Sequence, residues 1–247
     1  MKDSAEKPLD LSAQIATSIR DSIISGALNV DTRLPSESEL SEEFNVSRST
    51  IREALKRLAA QSLIRTQRGA SGGAFVNKLT FQEAYGQQIT TSTLLLSMNE
   101  VSLVTACEAR FAMERACIPL ASERRKPEQL KTMRSEIQKQ TLKSLSDEDF
   151  CASDVAFHRA LVDAAHNPVL SFQLAGAVEA MQPLMNMVTY TARDRVRIVA
   201  FHSNIADAIE DHDADLAEFT LQNLEAYTIE LAHSVLQEKA GARKTAD

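Results

Sequence analysis

The chain has 247 residues, 44% of them apolar, and a formal net charge of −7, which indicates a folded protein of one or two domains rather than a disordered chain. Its three cysteines, an odd number without a C-x-x-C pair, argue against a disulfide framework and against a cysteine zinc site. No apolar run approaches the roughly 18 residues of a membrane span, and no leader-like segment opens the chain. We therefore expect a cytoplasmic protein without a membrane partner.

The uneven distribution of charge and glycine predicts two units. Residues 1–80 carry 11 Lys and Arg against 10 Asp and Glu, whereas the rest of the chain carries 16 against 24. Three of the seven glycines lie within residues 69–73, and the chain after residue 80 is rich in strong helix formers. The expected fold is mainly α. Its predicted parts are an N-terminal winged helix-turn-helix domain at 9–77, a linker at 78–84 and an all-helical domain of six to seven helices at 85–238.

The first predicted element is a helix from Leu11 to Ser25. Within it, Ile15, Ile19 and Ile23 recur every four residues and predict one buried face. Gly26 follows at the position of a helix stop. We interpret this helix as the first of the N-terminal domain.

A capping box begins the next helix. Ser36 and Glu39 have the S-x-x-E spacing in which the hydroxyl accepts a backbone N–H and the carboxylate reaches back to the N–H of the serine. Leu40 and Phe44 lie on one side of this short helix. Asn45 follows this helix. Because Asn tolerates the left-handed backbone conformation, it predicts a tight turn there.

A second helix is predicted after Ser47, which is placed to cap it. Ile51, Leu55 and Leu58 repeat at i, i+4 and i+7 and predict its buried face. Between residues 48 and 68, six cations oppose the single carboxylate of Glu53: Arg48, Arg52, Lys56, Arg57, Arg65 and Arg68. A basic helix considered alone is more often a solvated face than a binding surface.

The context of the basic helix favours DNA binding. Two short strands are predicted at 63–67 and 74–76, on either side of the glycine-rich segment 68–73. Two capped helices joined by a tight turn and followed by such a hairpin are typical of a winged helix-turn-helix. The sequence therefore predicts that the basic helix lies against double-stranded DNA and that the hairpin is the wing.

The segments Arg33–Glu37, Val46–Leu55 and Arg68–Val76 closely resemble the DNA-binding domain of GntR-type bacterial transcription regulators. One departure is Ser62, where the family usually has a glycine at the end of the recognition helix, so we expect local strain without a change of fold. The resemblance assigns DNA contacts to nine residues: Arg33, Ser36, Ser47, Arg48, Ser49, Thr50, Arg52, Arg68 and Gly69.

The remaining chain is predicted to form seven consecutive amphipathic helices. Pro127 suits a first helical position, Asn167-Pro168 ends one helix and opens another, and Asp147 and Asp213 are placed as N-caps. Two helices are expected at about residues 81–96 and 100–125, and two more begin at 127 and 147. The last three are expected at about 168–190, 194–211 and 213–239.

Polar residues interrupt the apolar faces of these helices. Asp154 and His158 are i,i+4 neighbours within a buried stripe, His202 occupies an apolar position of a later helix, and Arg110 lies near the stripe of its own helix. An inward histidine considered alone is more often a satisfied core residue than a ligand. The four positions together predict an inward polar cluster.

This unit resembles the FCD effector domain that defines the FadR-like branch of GntR regulators, over roughly residues 85–235. The resemblance rests on Glu108–Arg110 with Glu114, on Asp154–Ala160, on Ala164–Leu170, and on His202 with Ile205, Ala208, Ile209 and Asp213.

Many members of that family hold a divalent metal with an Asp and three His residues. The resemblance implies Asp154, His158 and His202 as metal and effector ligands here, whereas Leu224 stands at the fourth ligand position. A carboxylate and neutral imidazoles suit Zn²⁺ or a similar ion, and a small carboxylate effector can complete the coordination. The resemblance also implies that Arg110 grips the carboxylate of the effector.

Two structural alternatives stay open. Asp154, His158 and His202 can form a buried polar network without an ion. Arg110 can form an internal ion pair with Glu114, four residues along the same helix. In either case the cluster would stabilise the fold rather than bind a ligand.

The leading functional interpretation is a ligand-responsive transcription regulator, specifically a repressor of a catabolic operon that is released by a small organic or sugar acid. We expect a homodimer on a pseudo-palindromic operator, and the resemblance implies half-sites centred on GT and AC. A metal-dependent enzyme using Asp154, His158 and His202 is the alternative, but it lacks a placed general base and has no need of the winged domain. A DNA-architectural protein has no use for the inward cluster.

Overall fold

The computed structural model describes residues 10–69, 72–98, 101–181 and 192–244. The chain divides into two compact units between Thr80 and Phe81, a point that lies inside the predicted linker. The fold is mainly α, with two short strands in the first unit. In the described ranges, no helix is both long and apolar enough to cross a membrane.

The N-terminal unit contains three helices and a hairpin, in the predicted order. Asp10, Ser36 and Ser47 cap the three helices with their side-chain oxygens, and Ser36 forms the predicted capping box with Glu39. The elements are α1 (Leu11–Ile24), α2 (Glu37–Glu43), α3 (Arg48–Ala60), β1 (Ile64–Gln67) and β2 (Gly73–Val76). Their apolar faces share one core, which includes Ile15, Ile19, Leu40, Ile51, Leu58 and Val76.

Left-handed residues end the helices where the sequence predicts turns. Gly26 has φ 79°, and Asn45 has φ 50° in the turn between α2 and α3. Ser62 has φ 57° just beyond the end of α3, so the expected strain is present. A residue with a Cβ costs roughly 1–2 kcal/mol in this conformation, and the fold of the unit is retained.

The wing is an antiparallel hairpin in which Ile64 pairs with Val76 and Gln67 with Gly73. Arg33, which precedes α2, forms an isolated bridge with Phe75. Gly73 has φ 150°, and a Cβ built there would lie 2.9 Å from Nε of Arg33. The positive φ therefore favours glycine at position 73, and any larger residue would also displace the side chain of Arg33.

The second unit contains seven described helices around a core that includes Phe111, Phe157, Leu161 and Ile205. The central helix α7 packs on α5, α6 and α8, and α9 packs on α10. The bounds are α4 (Phe81–Met98), α5 (Leu103–Arg124), α6 (Pro127–Gln140), α7 (Asp147–Ala164), α8 (Pro168–Val178), α9 (Arg195–Glu210) and α10 (Ala214–Lys244).

Two predicted N-termini in this unit need correction. Ser146, not Asp147, caps α7, because its Oγ accepts the N–H of Asp149 at 3.0 Å. Asp147 is the first helical residue, where its carboxylate still faces the positive end of the helix dipole. Ser102 caps α5, so that helix starts later than residue 100, which lies outside the described ranges. The predicted cap Asp213 does accept the N–H of Leu216, at 2.9 Å.

Two C-termini also differ from the prediction. Helix α8 ends at Val178, and residues 182–191, which the sequence pattern assigns to the same helix, lie outside the described ranges. Helix α10 runs to Lys244, beyond the predicted end at 239. Residues 239–244 include Gly241 but no proline, and the Ala, Lys and Arg residues around that glycine have high helix propensity, so the helix continues past the apolar stripe.

The cysteines are free and buried, as the sequence suggests. Burial raises the pKa of Cys107 to about 11 and that of Cys117 to about 12. Since the thiolate is the reactive form, the raised pKa values disfavour reaction of both thiols at neutral pH.

Candidate functional site

The start of α3 presents an exposed cation. Oγ of Ser47 accepts the N–H of Thr50 at 3.2 Å and lies 2.7 Å from the hydroxyl of Ser49. The capped helix start holds Arg48, the first helical residue, on the exposed surface. Among the described residues Arg48 has no carboxylate within salt-bridge distance, so its guanidinium is available for an anion such as DNA phosphate or for a base edge.

Arg52, one turn further along α3, is held by α2. Its NH2 and Nε lie 2.9 Å and 3.3 Å from the two carboxylate oxygens of Glu37. Burial of Arg52 is slight, and the hydrogen bonds and charge of Glu37 raise its pKa. The two-point contact fixes the plane of the guanidinium on the exposed side of the helix and uses its Nε and NH2 for Glu37.

Arg33, which precedes α2, contacts the wing. Its NH2 donates to the carbonyl oxygen of Gly72 at 2.7 Å, so the side chain ties the start of α2 to the wing. Arg68 and Gly69 are exposed at the wing tip, and Gly69 has φ 111°. The predicted wing contacts are therefore at the surface, where a DNA groove can reach them.

The other cations of the basic surface have acidic partners. Arg57 pairs with Asp10 at 2.7 Å, and Arg65 pairs with Asp31 at 2.6 Å. Lys56 lies 3.7 Å from Glu53 and is exposed. Exposed pairs of this kind contribute about 0–1 kcal/mol each, so they do not prevent contacts with phosphate.

The inward polar cluster is present in the second unit. Helix α5 carries Arg110, α7 carries Asp154 and His158, and α9 carries His202. Each of the four residues is at most 5% exposed. Because the i,i+4 spacing puts Asp154 and His158 on one face of α7, both side chains point toward the α5 and α9 side of the core.

Glu114 joins one half of the cluster. Its Oε1 accepts from Nε of Arg110 and its Oε2 accepts from Nδ1 of His158, both at 2.7 Å. Burial would raise the pKa of Glu114, but His158 and Arg110 more than offset it and lower the pKa from 4.5 to about 2. The internal ion pair between Arg110 and Glu114 is thus formed, and NH2 of Arg110 lies 3.9 Å from Oδ2 of Asp154.

His202 is held from another direction. Its Nδ1 lies 2.8 Å from Oε1 of Gln140, and its ring stacks on Phe157 with centroids 4.0 Å apart. Burial lowers the pKa of His202 to about 3, although the nearby charge of Asp154 acts in the opposite direction. The imidazole is therefore neutral at physiological pH, which is the form that binds a metal.

The three residues fit a divalent metal. One ligand atom each from Asp154, His158 and His202 lies within 4.8 Å of the others. Nε2 of His202 and Oδ1 of Asp154 are 3.5 Å apart, close to the separation of about 3.4 Å expected between two ligands of tetrahedral Zn²⁺. Within the described ranges, Nε2 of His202 and Oδ2 of Asp154 are buried without a hydrogen-bond partner. Unpaired buried ligand atoms of this kind are expected at a cation site.

Two residues of these sites escaped the sequence analysis. Glu37 was assigned only to the motif before α2, and its contact with Arg52 spans 15 residues. Gln140 contacts His202 across 62 residues. A signal for Gln140 exists, because it follows Met133 and Ile137 at spacings of four and three, which makes it a polar residue on an apolar stripe.

Comparisons with known proteins agree with both units. Residues 11–76 match the family described as bacterial regulatory proteins, gntR family, and residues 105–225 match the FCD domain. The galactonate operon transcriptional repressor of Escherichia coli K12 is 30% identical over 213 residues, which cover 85% of this chain and 91% of the repressor. The HTH-type transcriptional regulator YcbG of Bacillus subtilis is 27% identical, with 85% and 84% covered.

A solved structure supports the fold. A GntR protein of Streptococcus agalactiae superposes with a TM-score of 0.55 at 19% identity, covering 89% of this chain and 99% of that protein. The matched families and relatives are transcription regulators, so the enzyme alternative is set aside. The chain belongs to the GntR family of bacterial transcription regulators, in the FadR-like subfamily whose members carry an FCD domain.

Proposed function

We propose that the chain is a cytoplasmic repressor that binds a pseudo-palindromic operator as a homodimer and leaves it when a small carboxylate binds the helical unit. The observation that carries the DNA-binding part is Arg48 at the capped start of α3, which is exposed and has no salt bridge to any carboxylate of the described ranges. Arg52, Arg68 and Gly69 share its exposure, and Ser47, Ser49 and Thr50 supply hydroxyls for phosphate oxygens.

The DNA interface predicts different effects for two cations of α3. Arg48→Ala should weaken operator binding by roughly 1–3 kcal/mol and relax sequence preference, because a base contact is lost. Lys56→Ala should weaken all DNA sequences evenly and reduce the salt dependence by about one counterion. Fluorescence anisotropy with operator and scrambled DNA at several salt concentrations measures both. If Arg48→Ala bound operator like the wild type, the assignment of α3 as the reading helix would be wrong.

The homodimer follows from the size of one reading surface. A single recognition helix covers one half-site, so useful affinity requires two helices across a two-fold operator. Light scattering at micromolar concentration should give twice the mass of 27.2 kDa. Deleting one half of the operator should then weaken binding severely. A monomer that binds the isolated half-site as tightly as the full operator would contradict the proposal.

The effector is proposed to bind at the inward cluster, beside one divalent metal held by Asp154, His158 and His202. When bound, the metal would supply a Lewis-acidic site for a carboxylate oxygen. The three protein ligands leave room in a tetrahedral shell for that oxygen, and Arg110 provides a neighbouring positive charge. The name of the galactonate repressor refers to a sugar acid, which supports this class of carboxylate.

The switch requires only modest coupling. A ligand shifts an equilibrium by its differential affinity for the DNA-competent and DNA-incompetent states, and a tenfold release corresponds to about 1.4 kcal/mol. The four cluster residues are almost sealed from solvent, so side chains around them must move to admit a ligand. That required movement is a physical source of the differential affinity.

A matched pair of compounds tests the effector proposal. Galactonate and other sugar or organic acids should raise the melting temperature in the presence of Zn²⁺ and release DNA upstream of the chain's own gene in a mobility-shift assay. Galactitol has the same carbon skeleton without the carboxylate and should do neither. If the whole screen of acids leaves both the melting temperature and DNA binding unchanged, the carboxylate class is wrong.

A further inference from the structure

A chain of hydrogen bonds leads from His202 away from the candidate metal site. Nδ1 of His202 contacts Oε1 of Gln140 at 2.8 Å, and Nε2 of Gln140 donates to Oγ of Ser153 at 3.2 Å. Oγ of Ser153 in turn donates to the backbone carbonyl oxygen of Glu136, also at 3.2 Å. His202, Gln140 and Ser153 are each at most 3% exposed. Bulk water therefore does not compete for these hydrogen bonds.

The last bond fixes the direction of all the others. A carbonyl oxygen only accepts, so the hydroxyl proton of Ser153 must point to Glu136. Oγ of Ser153 is then left to accept, and the only donor in the side chain of Gln140 is its amide nitrogen. This orients the amide with Oε1 toward His202, where it can only accept. The proton of a neutral His202 must therefore be on Nδ1.

The opposite tautomer loses hydrogen bonds at the Gln140 end and gains only a long contact at the Asp154 end. It would require the amide of Gln140 to turn over and Ser153 to turn its proton toward Gln140, which removes the bond to Glu136. On the other side, a proton on Nε2 would face Oδ1 of Asp154 at 3.5 Å, beyond the usual length of an N–H···O hydrogen bond.

We propose that Gln140 is a positioning residue that holds His202 in the tautomer with the proton on Nδ1, so that the lone pair of Nε2 faces Asp154. Histidines that bind metals commonly donate their second N–H to such a partner, which orients the ring and selects the free nitrogen. The consequence for metal affinity rests on the proposed function. The tautomer itself is a property of the metal-free chain.

The tautomer is measured directly by NMR. Long-range ¹H–¹⁵N correlation spectra of the full chain with ¹⁵N-labelled histidine, stripped of metal, distinguish the two neutral forms among its five histidines. His202→Asn identifies the signals of His202 by their loss. The expected result is a proton on Nδ1. A proton on Nε2 in the wild type overturns the proposal without any Gln140 variant.

Three variants separate positioning from packing. Gln140→Leu removes the acceptor and should give a mixture of tautomers or the Nε2–H form. Gln140→Glu keeps an oxygen acceptor and should keep the proton on Nδ1. Gln138→Leu makes the same change at an exposed position of α6 and should match the wild type. If Gln140→Leu keeps the wild-type tautomer completely, Gln140 does not set it and the proposal is wrong.

Calorimetry with Zn²⁺ alone supplies the second readout. Gln140→Leu should weaken Zn²⁺ binding by about 10- to 100-fold relative to the wild type and Gln138→Leu, as loss of such partners does elsewhere, and Gln140→Glu should restore it. Equal affinity of Gln140→Leu and wild type overturns the positioning role. If the wild type binds no Zn²⁺, the metal part of the proposed function fails, and the tautomer spectra decide the inference independently.

Discussion

Arg110→Met is expected to lower the free energy of unfolding of the helical unit by about 3–5 kcal/mol, because it leaves a buried charge without its partner. Arg110 is 1% exposed and Glu114 is 0% exposed, and Nε of Arg110 donates to Glu114 at 2.7 Å. After removal of the guanidinium, Glu114 keeps its contact with His158, and Asp154 loses the positive charge 3.9 Å from its Oδ2. Urea unfolding followed by circular dichroism measures the loss.

A double-mutant cycle identifies the cause. Glu114→Met removes the other charge of the pair, and the variant with both substitutions should lose less stability than the sum of the two single losses. Arg124→Met removes an exposed cation at the end of the same helix, and it should change stability by no more than about 0.5 kcal/mol. Additive losses in the cycle would show that the two residues do not stabilise each other.

The ion pair changes how Arg110 can be used as a probe of the effector. The sequence resemblance implies that Arg110 binds the carboxylate of the effector, whereas in the structure its Nε donates to Glu114. An effector at this position must therefore share or displace an existing partner. Loss of ligand response in an Arg110 variant reports folding as well as binding, so the matched pair of galactonate and galactitol is the sharper test.

Local signals account for what could be predicted from the sequence. The capping box of Ser36 and Glu39, the turn at Asn45 and the cap at Ser47 each depend on residues within about four positions, and all are present. The inward direction of Asp154 and His158 follows from helical periodicity alone. Helical periodicity shows which face of a helix is buried, and polar residues on that face are sufficient to predict a buried polar cluster.

Contacts between distant segments could not be predicted in this way. The pairing of Gln140 with His202 depends on how α6 packs against α9, and that of Glu37 with Arg52 depends on the angle between α2 and α3. Helix ends were also poorly specified. Ser146 and Asp147 are both good N-cap residues, and in the structure Ser146 has the extended backbone conformation of the cap.

Leu224 departs from the metal-binding pattern of the family and supports the last prediction. It lies on α10 and is 3% exposed within the same core as Phe157 and Leu161. The resemblance to the family puts position 224 at the fourth ligand, so we expect a histidine there to join Asp154, His158 and His202. A closed four-ligand shell is the arrangement of structural zinc sites, which bind more tightly than open ones.

Leu224→His is therefore expected to tighten Zn²⁺ binding at least tenfold, or about 1.4 kcal/mol, as measured by calorimetry. Without metal, the variant should be less stable than the wild type by about 1–3 kcal/mol, because a polar ring is buried without a partner. Zn²⁺ should reverse that loss, since a ligand that binds only the folded state stabilises it. Leu216→His places a histidine on the exposed side of the same helix and should change neither quantity. Equal Zn²⁺ affinity in Leu224→His and the wild type would show that position 224 does not face the metal site.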